Sequence, residues 1–264
     1  LQTVTADEGS VAVTAGQGVA IDAVTAGRDA KLVAAGGDVG GTSVHALHGN
    51  VDIQASQGVA LQTVTADEGS VAVTAGQGIA IDAVTASQDA TLKAAGGDIS
   101  GNSVHASRGN LDLRAGHSVT VREATAVAGN ATIIAEQDIL MDAVTAGQGV
   151  TLEAINGRVS VKRISGDTLS ISGKGDLDLG TLSAKSNLYF STESITAHVL
   201  HTGSGGPLLM RAVGSHGAPA RWVDLTIDSP VGVSFDHLDA LDARIVTERG
   251  WLEILDGRIE NRAH

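Results

Sequence analysis

The sequence predicts an all-β protein, a parallel β-helix (β-solenoid) with three short strands in each coil of about 20 residues. Three observations predict this fold. A unit of about 20 residues recurs along most of the chain. Apolar residues alternate at period two within each unit, which is typical of strands with one buried face. Glycine-rich positions separate these runs, and only 2% of the residues are aromatic.

The repeat has two levels. Residues 1–60 match residues 61–120 at 43 of 60 positions without a gap. The first 18 residues, LQTVTADEGSVAVTAGQG, return unchanged at 61–78. Within this 60-residue superrepeat the shorter unit recurs, as in LQTVTADEGSVAVTAGQGVA and IDAVTAGRDAKLVAAGGDVG. Such self-similarity is typical of solenoids, in which each repeat buries its apolar face against the next.

Breaks in the alternation of apolar residues predict the corners of each coil. Val19 and Ile21 occupy alternate positions, but the next aliphatic residue is Val24. A straight strand cannot shift by one residue without turning its buried face outward, so this slip predicts a corner. Glycine accepts turn conformations that β-branched residues resist, and the glycines near 9–10 and 16–18 predict the other two corners.

Stacking of the coils places equivalent residues in columns. Aliphatic residues of similar size can lie directly over one another, which explains the scarcity of aromatic residues. One column is predicted to be buried: Val4, Val24, Val44, Val64, Val84, Val104, Ala124, Val144 and Ile164. A second is predicted to line an inside corner: Ala6, Ala26, Ala46, Ala66, Ala86, Ala106, Ala126 and Ala146. The threonines between them are expected to face outward: Thr5, Thr25, Thr65, Thr85, Thr125 and Thr145.

The C-terminal part differs in composition. All 3 prolines lie beyond residue 188, as do all the aromatic residues. We therefore predict regular β-helix repeats over 1–188, with superrepeats at 1–60 and 61–120. A less regular continuation is predicted over 189–264. The stretch 201–222 carries glycine and proline without sustained alternation, which predicts a loop or small excursion there.

Composition argues against several function classes. The formal net charge is −13 and the 17 Lys and Arg residues form no cluster, so no nucleic-acid partner is expected. No apolar run approaches the roughly 20 residues of a membrane-spanning helix, so no membrane insertion is expected. The absence of cysteine leaves neither a disulfide nor a thiolate zinc site. No cofactor is predicted.

The histidines of the repeats do not predict a metal site. His45 and His48 belong to the stretch HALHG, and His105 repeats the first of them. Because His45 and His105 stand three coils apart, on the order of 14 Å along the stack, they cannot share one ion. We interpret all three as surface polar positions.

Two acidic patterns in the repeats are also interpreted as structural. Asp22, Asp82 and Asp142 share a column, and the residues between them are mostly uncharged, which avoids like-charge stacking. The GGD triplets at 36–38 and 96–98 are a fragment of a calcium-binding nonapeptide repeat, but the rest of that repeat is missing. No calcium site is predicted.

The densest titratable cluster lies in FDHLDALDAR, which contains Asp236, His237, Asp239 and Asp242. Glycan-cleaving enzymes need paired carboxylates, and sugars stack on aromatic rings. The acids occupy outward positions of an alternating run, however, and no spacing brings them together. A solvated face is therefore the preferred interpretation, and no catalytic residue is predicted.

Ligand or partner contacts are expected among the late aromatic residues, because specificity resides in aromatic and irregular surface. The candidates are Tyr189, Trp222, Phe235 and Trp251. Asn130, in the sequon Asn130-Ala131-Thr132, is the candidate glycosylation site.

A family resemblance rests on the stretches GNVDIQASQGVAL, GNLDLRAGHSVTV and GVTLEAINGRVSV, with the form G-x-V-x-L-x-A-x-x-x-V-x-V. They resemble the repeats of filamentous haemagglutinin and related large exoproteins of two-partner secretion. The resemblance implies a right-handed parallel β-helix, secretion through an outer-membrane pore partner, and a place at the bacterial cell surface. Because the sequence begins with Leu1 in mid-repeat, we expect an internal segment of a longer chain.

We therefore expect a structural or adhesive shaft of a secreted surface filament, not an enzyme. Its partner would be a receptor on a host or bacterial cell, or a polysaccharide, and attachment would serve biofilm formation or virulence. One alternative is a glycan-binding or polysaccharide-degrading β-helix. Another is the delivery stick of a contact-dependent inhibition toxin, which predicts the same shaft.

Overall fold

A computed structural model of the chain describes residues 2–203, 206–215 and 218–259, with side chains up to residue 257. It is all-β with no α-helix among these residues, and its parallel strands stack as a β-solenoid of about 12 coils, each of roughly 20 residues. The predicted fold class is confirmed. Accordingly, none of the described residues belongs to a helix long and apolar enough to cross a membrane. The chain packs as two compact units that divide between Ile133 and Ile134.

The first unit alternates short and long strands. It begins with β1 (Thr3–Ala6). The short strands are β2 (Val11–Ala15), β4 (Ala30–Ala34), β6 (Val51–Ala55), β8 (Val71–Ala75), β10 (Ala90–Ala94) and β12 (Leu111–Ala115). The long strands are β3 (Val19–Ala26), β5 (Val39–Ala46), β7 (Val59–Ala66), β9 (Ile79–Ala86), β11 (Ile99–Ala106) and β13 (Val119–Ala126). Strand β14 (Ala131–Ala135) lies where the units divide.

Each coil of the first unit contributes one long strand and one short strand, which belong to two different parallel ladders. The long strands pair with one another, so that Val24 lies beside Val44 and Val44 beside Val64. The short strands pair likewise, as Val13 with Leu32. The predicted corner after Ile21 is a bend inside the long strand, where two successive outward residues interrupt the alternation. One eight-residue strand therefore forms two of the three predicted sides.

The predicted columns form the core of the stack. Val24, Val64 and Val84 are fully buried, and the aliphatic column remains buried as far as Ile164. The alanine column is buried from Ala26 onward, whereas its threonine neighbours face outward. Aliphatic burial of this kind contributes about 25 cal/mol per Å² of apolar surface removed from water. The core of the repeats thus follows directly from the spacing of its aliphatic residues.

Close approach between coils, rather than unusual backbone angles, explains several glycines of the repeats. Positive φ occurs at Gly232 and Gly250, both in the second unit. Gly41 lies directly beside Ile21, and a Cβ there would stand 1.8 Å from the Ile21 carbonyl oxygen. Gly101 meets the Ile81 carbonyl in the same way, at 2.0 Å.

A ladder of polar side chains closes the corner before each short strand. The side-chain oxygen of one coil accepts a hydrogen bond from the backbone N–H of the next. Asn50 N–H donates to Asp29 Oδ1 at 2.8 Å, and Ser70 N–H donates to Asn50 Oδ1 at 2.9 Å. The ladder continues to Asn130, whose N–H donates to Asn110 Oδ1 at 2.9 Å. The backbone N–H groups at these corners have no partner in a neighbouring strand. The side-chain oxygens accept their hydrogen bonds instead.

The second unit has longer and less uniform strands. They are β15 (Ile139–Ala146), β16 (Gly149–Ala154), β17 (Val159–Gly173), β18 (Leu177–Ser191), β19 (Ser194–His201), β20 (Leu208–Val213), β21 (Trp222–Asp228), β22 (Val233–Ala240), β23 (Ala243–Arg249), β24 (Leu252–Ile254) and β25 (Gly257–Ile259). Register shifts interrupt the ladder between β17 and β18 and that between β20 and β22. Phe190 and Phe235 are its largest fully buried side chains. Strand lengths therefore change well before residue 188.

The stretch 201–222, expected to be a loop or excursion, contains a strand. Strand β20 pairs with β18 on one side and with β22 on the other. Leu208 and Met210 on β20 are buried, so this strand is part of the solenoid core. The irregular segments are those before and after it, and within them residues 204–205 and 216–217 lie outside the described residues.

The buried aliphatic column can be tested with Val64→Asp. The carboxylate would lie between Val44 and Val84 with no partner. We expect the free energy of unfolding to fall by about 3 kcal/mol or more, measured by urea and thermal unfolding. Thr65→Asp, one residue along on the outward side, is the matched control. Equal stability of the two variants would contradict the inward assignment.

The close approach at Gly41 can be tested with Gly41→Ala. The new methyl group would collide with the Ile21 carbonyl, and the backbone shift needed should cost about 1–3 kcal/mol in urea unfolding. Gly16→Ala is the control, because a Cβ at Gly16 would meet nothing within 4 Å. If Gly41→Ala were as stable as Gly16→Ala, steric contact between the coils would not be the reason for glycine at this position.

Candidate functional site

Three of the four predicted contact residues are on the surface of the second unit. Tyr189 and Trp222 are each 37% exposed, and Trp251 is 46% exposed. Phe235 is fully buried. It fills the core at an inward position of β22, so it has no surface to offer a ligand and leaves the candidate set.

The three exposed rings lie on different elements. Tyr189 belongs to β18, whose ladder runs on to β20 and β22. Trp222 is the first residue of β21, which pairs with β19 and β23. Trp251 lies between β23 and β24. No described hydrogen bond or strand pairing joins the rings to one another.

Charged side chains surround the start of β21. Ser194 lies beside Trp222 in the ladder, and its hydroxyl donates to an Asp176 carboxylate oxygen. Arg221 lies 3.3 Å from a Glu193 carboxylate oxygen and 3.8 Å from Asp176. Hydrogen-bond donors and acceptors are therefore present at the start of β21, where Trp222 is exposed.

Trp251 packs on a glycine with an unusual backbone. Gly232 has φ of 129°, and a Cβ there would lie 2.4 Å from the indole ring. The Val233 N–H donates to the Trp251 carbonyl oxygen at 2.8 Å, which holds the two segments together. Only glycine combines this backbone angle with room for the ring. The position of the indole therefore depends on Gly232.

A buried polar network supports the loop beneath Trp251. His201 is 4% exposed, and its Nδ1 lies 2.8 Å from the Ser229 hydroxyl. Ser229 Oγ in turn donates to the Gly232 carbonyl oxygen at 2.7 Å and accepts from the Gly232 N–H at 3.0 Å. Buried polar groups of this kind stabilise a loop only when they are hydrogen-bonded.

The acidic cluster of β22 is not assembled into a catalytic pair. Asp236 falls at the register shift of the β20–β22 ladder and is exposed. His237 Nδ1 lies 2.8 Å from an Asp256 carboxylate oxygen. No hydrogen bond joins Asp236, Asp239 and Asp242 to one another in the described structure. Nor do three or more His, Asp or Glu residues of the described chain converge as metal ligands.

Sequence reasoning missed an ion pair on the second unit. Arg249 donates to both Asp228 carboxylate oxygens, with Nη2 2.7 Å from Oδ2. This hydrogen bond is the main reason that the pKa of Asp228 is lowered from its ordinary value, and the nearby charges of Arg249 and His198 act in the same direction. The two residues are 21 positions apart, and the ladder register that joins them shifts at Asp228, so no periodicity in the sequence indicates the pair.

The histidines and aspartates of the repeats have partners in adjacent coils or nearby in their own coil. His45 Nε2 lies 2.8 Å from Asp67 Oδ2, whereas His105 bonds the Ser107 hydroxyl instead. Asp82 accepts from the Asn102 side chain at 3.2 Å. Asp38, of the first GGD triplet, accepts from the Gly58 N–H at 2.7 Å. Most of these contacts join residues of neighbouring coils.

Asn130, the predicted glycosylation site, lies at an exposed corner. Its side-chain nitrogen donates to Asn110 Oδ1 at 3.3 Å, as part of the polar ladder. A sugar on this nitrogen would have to be accommodated beside the Asn110 contact.

Two open depressions adjoin each other on the outward side of the long strands in the first unit. Their volumes are about 610 and 560 Å³. They share a floor of small residues, Ala60, Ala80 and Ser100. The carboxylates along their borders already accept hydrogen bonds from neighbouring coils, as Asp82 does. These carboxylates therefore join neighbouring coils.

In comparisons with known proteins, no family model, no curated protein and no solved structure matches this chain.

The ion pair of Asp228 and Arg249 predicts a pH dependence. Because the pKa of Asp228 is lowered in the folded state, its stabilisation is present above the unfolded value of about 3.9 and is lost as the pH falls through the folded value. The stability difference between the native chain and Asp228→Asn should be constant from neutral pH to about 5 and shrink below about 4. Arg249→Gln should abolish that pH dependence.

The control for this titration is Glu253→Gln on β24, an exposed acid without an ion pair among the described side chains. Thermal unfolding between about pH 2.5 and 8, a range that brackets the titration of a carboxyl group, measures all four proteins. A stability difference for Asp228→Asn that did not change with pH would contradict the pairing.

Proposed function

We propose that this chain is a structural and adhesive shaft segment of a secreted bacterial surface filament, without enzymatic activity. The observation that carries the proposal is the repeated stacking of near-equivalent coils, in which many surface charges are engaged with the next coil. In a parallel stack each coil adds about 4.8 Å. The function of such a segment is to hold an attachment surface away from the cell that secretes it.

The pairing of side chains between coils supports a non-catalytic role. His45 faces Asp67, Lys31 faces Asp52 at 2.9 Å, and Lys162 faces Asp142 at 2.6 Å. Charges paired in this way join successive coils. Catalysis instead needs carboxylates or other groups that converge on a reacting atom.

Attachment is assigned to the second unit, where the exposed aromatic rings lie. Trp222 and Trp251 present large apolar surface beside hydrogen-bonding groups, which is typical of residues that dominate recognition. The partner is a cell-surface receptor or a polysaccharide. Secretion through an outer-membrane pore and a position at the cell surface rest on the resemblance of the repeats to filamentous haemagglutinin.

A second candidate is a glycan-binding β-helix. It is favoured by the exposed Trp222, which follows Arg221 in the chain, and Arg221 pairs with Glu193 and Asp176. Sugars combine an apolar face with hydroxyl groups, and this surface offers a partner for both. This candidate differs from the first in requiring a defined carbohydrate ligand.

The two candidates can be separated by binding and turnover. We expect the fluorescently labelled chain to attach to cells and to release no sugar ends from polysaccharides. Trp222→Ala and Trp251→Ala should each weaken attachment at least about ten-fold, because such rings are typical hot spots. Leu209→Ala, which removes a 49% exposed apolar side chain from β20, is the matched control.

Release of sugar ends in this assay would overturn the non-catalytic proposal. Saturable binding to one polysaccharide, lost in both tryptophan variants, would favour the glycan-binding candidate. If both tryptophan variants attached to cells as strongly as the native chain, the exposed rings of the second unit would not be the attachment surface.

A further inference from the structure

One exposed arginine of the second unit has no partner of its own. Arg211 lies at an outward position of β20, and its guanidinium makes no ion pair or hydrogen bond in the described structure. Most other described arginines of this unit pair with a carboxylate: Arg158, Arg221, Arg244 and Arg249. The five N–H donors of Arg211 are therefore free for an acceptor outside the chain.

The strand pairing of β20 leaves Arg211 without a carboxylate. Its ladder neighbours are Tyr189 on β18 and His237 on β22, and neither is an acid. Asp236 falls at the register shift between β20 and β22, and no ion pair joins it to Arg211 among the described side chains. His237 bonds instead to Asp256, with Nδ1 2.8 Å from a carboxylate oxygen.

An aromatic ring and a hydroxyl group lie in line with this charge. Tyr189 is directly opposite Arg211 in the parallel register and is 37% exposed. Ser170 on β17 is directly opposite Tyr189. Neither the Ser170 nor the Tyr189 side chain has a hydrogen bond in the described structure. Because paired strands stand about 4.8 Å apart, Ser170, Tyr189 and Arg211 form an outward row about 10 Å long, the Tyr189 row.

Strands on both sides hold the Tyr189 row in place. Strand β18 pairs with β17 and β20, and β20 pairs in turn with β22. The residues next to the row along each strand are buried, as Phe190 and Met210 are. The spacing of the hydroxyl, the ring and the guanidinium is therefore fixed by the ladder before any ligand binds.

The chemistry of the row suits a sugar that carries a carboxylate. A tyrosine ring offers an apolar face to a sugar ring, and a serine hydroxyl exchanges hydrogen bonds with sugar hydroxyls. The planar fork of an arginine matches the two oxygens of a carboxylate. An acid sugar, or uronate, combines the three groups that these side chains recognise.

The charge around the row restricts how acidic that glycan can be. The chain has a formal net charge of −13, and the exposed Asp236 lies near Arg211 in sequence register. A densely charged polymer requires many cations and is repelled by a negative surface. One unpaired guanidinium therefore favours a glycan in which single carboxylates are separated by uncharged sugars.

We propose that the Tyr189 row is a binding site for a glycan with uronate units among uncharged sugars. The carboxylate of one unit binds Arg211, and the adjacent sugar lies on the Tyr189 ring within reach of Ser170. The site rests on the attachment role proposed above and gives that role a chemical class of ligand.

The first experiment titrates the full chain with partly methyl-esterified polygalacturonate and measures affinity by calorimetry. The fully esterified polymer has the same backbone without the charge, and we expect it to bind at least about ten-fold more weakly, because a charge-assisted hydrogen bond is lost. Dextran sulfate, which is densely charged, should also bind more weakly. Equal affinity for the fully esterified polymer, or tighter binding of dextran sulfate, would overturn the proposal.

The second experiment repeats the titration with variants. Arg211→Gln should weaken binding at least about ten-fold and Tyr189→Ala about five-fold, whereas Tyr189→Phe should retain most of the affinity. Arg163→Gln is the matched control, since Arg163 is exposed and unpaired in the same unit but lies between Ala143 and Thr181, without a ring. Equal losses in Arg211→Gln and Arg163→Gln would show attraction by charge alone and overturn the site.

The cell-attachment assay described above distinguishes this site from the role on which it rests. A native chain that attaches to cells but does not bind the partly esterified polymer would overturn the proposed site and leave the adhesive role in place. A chain that binds the polymer through Arg211 but does not attach to cells would support the site and overturn the adhesive role.

Discussion

Every coil of this protein depends on hydrogen bonds that it cannot make by itself. The backbone groups of β7 pair with β5 on one side and with β9 on the other, so the strand is satisfied only inside the stack. This parallel pairing fixes which residues superimpose, and Val44, Val64 and Val84 lie in line. Residues of similar size are therefore required along each inner column, and glycine is required where Gly41 approaches Ile21.

The same constraint governs the surface of the first unit. Outward side chains stand about 4.8 Å from their equivalents in the next coil, close enough to bond them. Asp29, Asn50 and Ser70 form a ladder of side chain to backbone contacts, and His45 faces Asp67. The polar side chains here join each coil to the next.

In the second unit successive coils are less alike than in the first. Its strands differ in length, register shifts interrupt its ladders, and Phe190 and Phe235 fill its core. Irregular connections between its strands place Trp251 on Gly232 above the His201 and Ser229 network. A surface that differs from coil to coil can carry specificity, whereas a repeated surface presents the same contacts many times.

The sequence by itself determined the fold class, the buried columns and the outward threonines, because these depend on spacing along a short stretch of chain. It also placed Tyr189, Trp222 and Trp251 in the C-terminal part of the chain, beyond residue 188. Only the tertiary structure decided that Phe235 is buried, that β20 belongs to the core, and that Arg249 meets Asp228. Those outcomes depend on strand lengths and register shifts that bring together residues about one coil apart, and local alternation does not specify them.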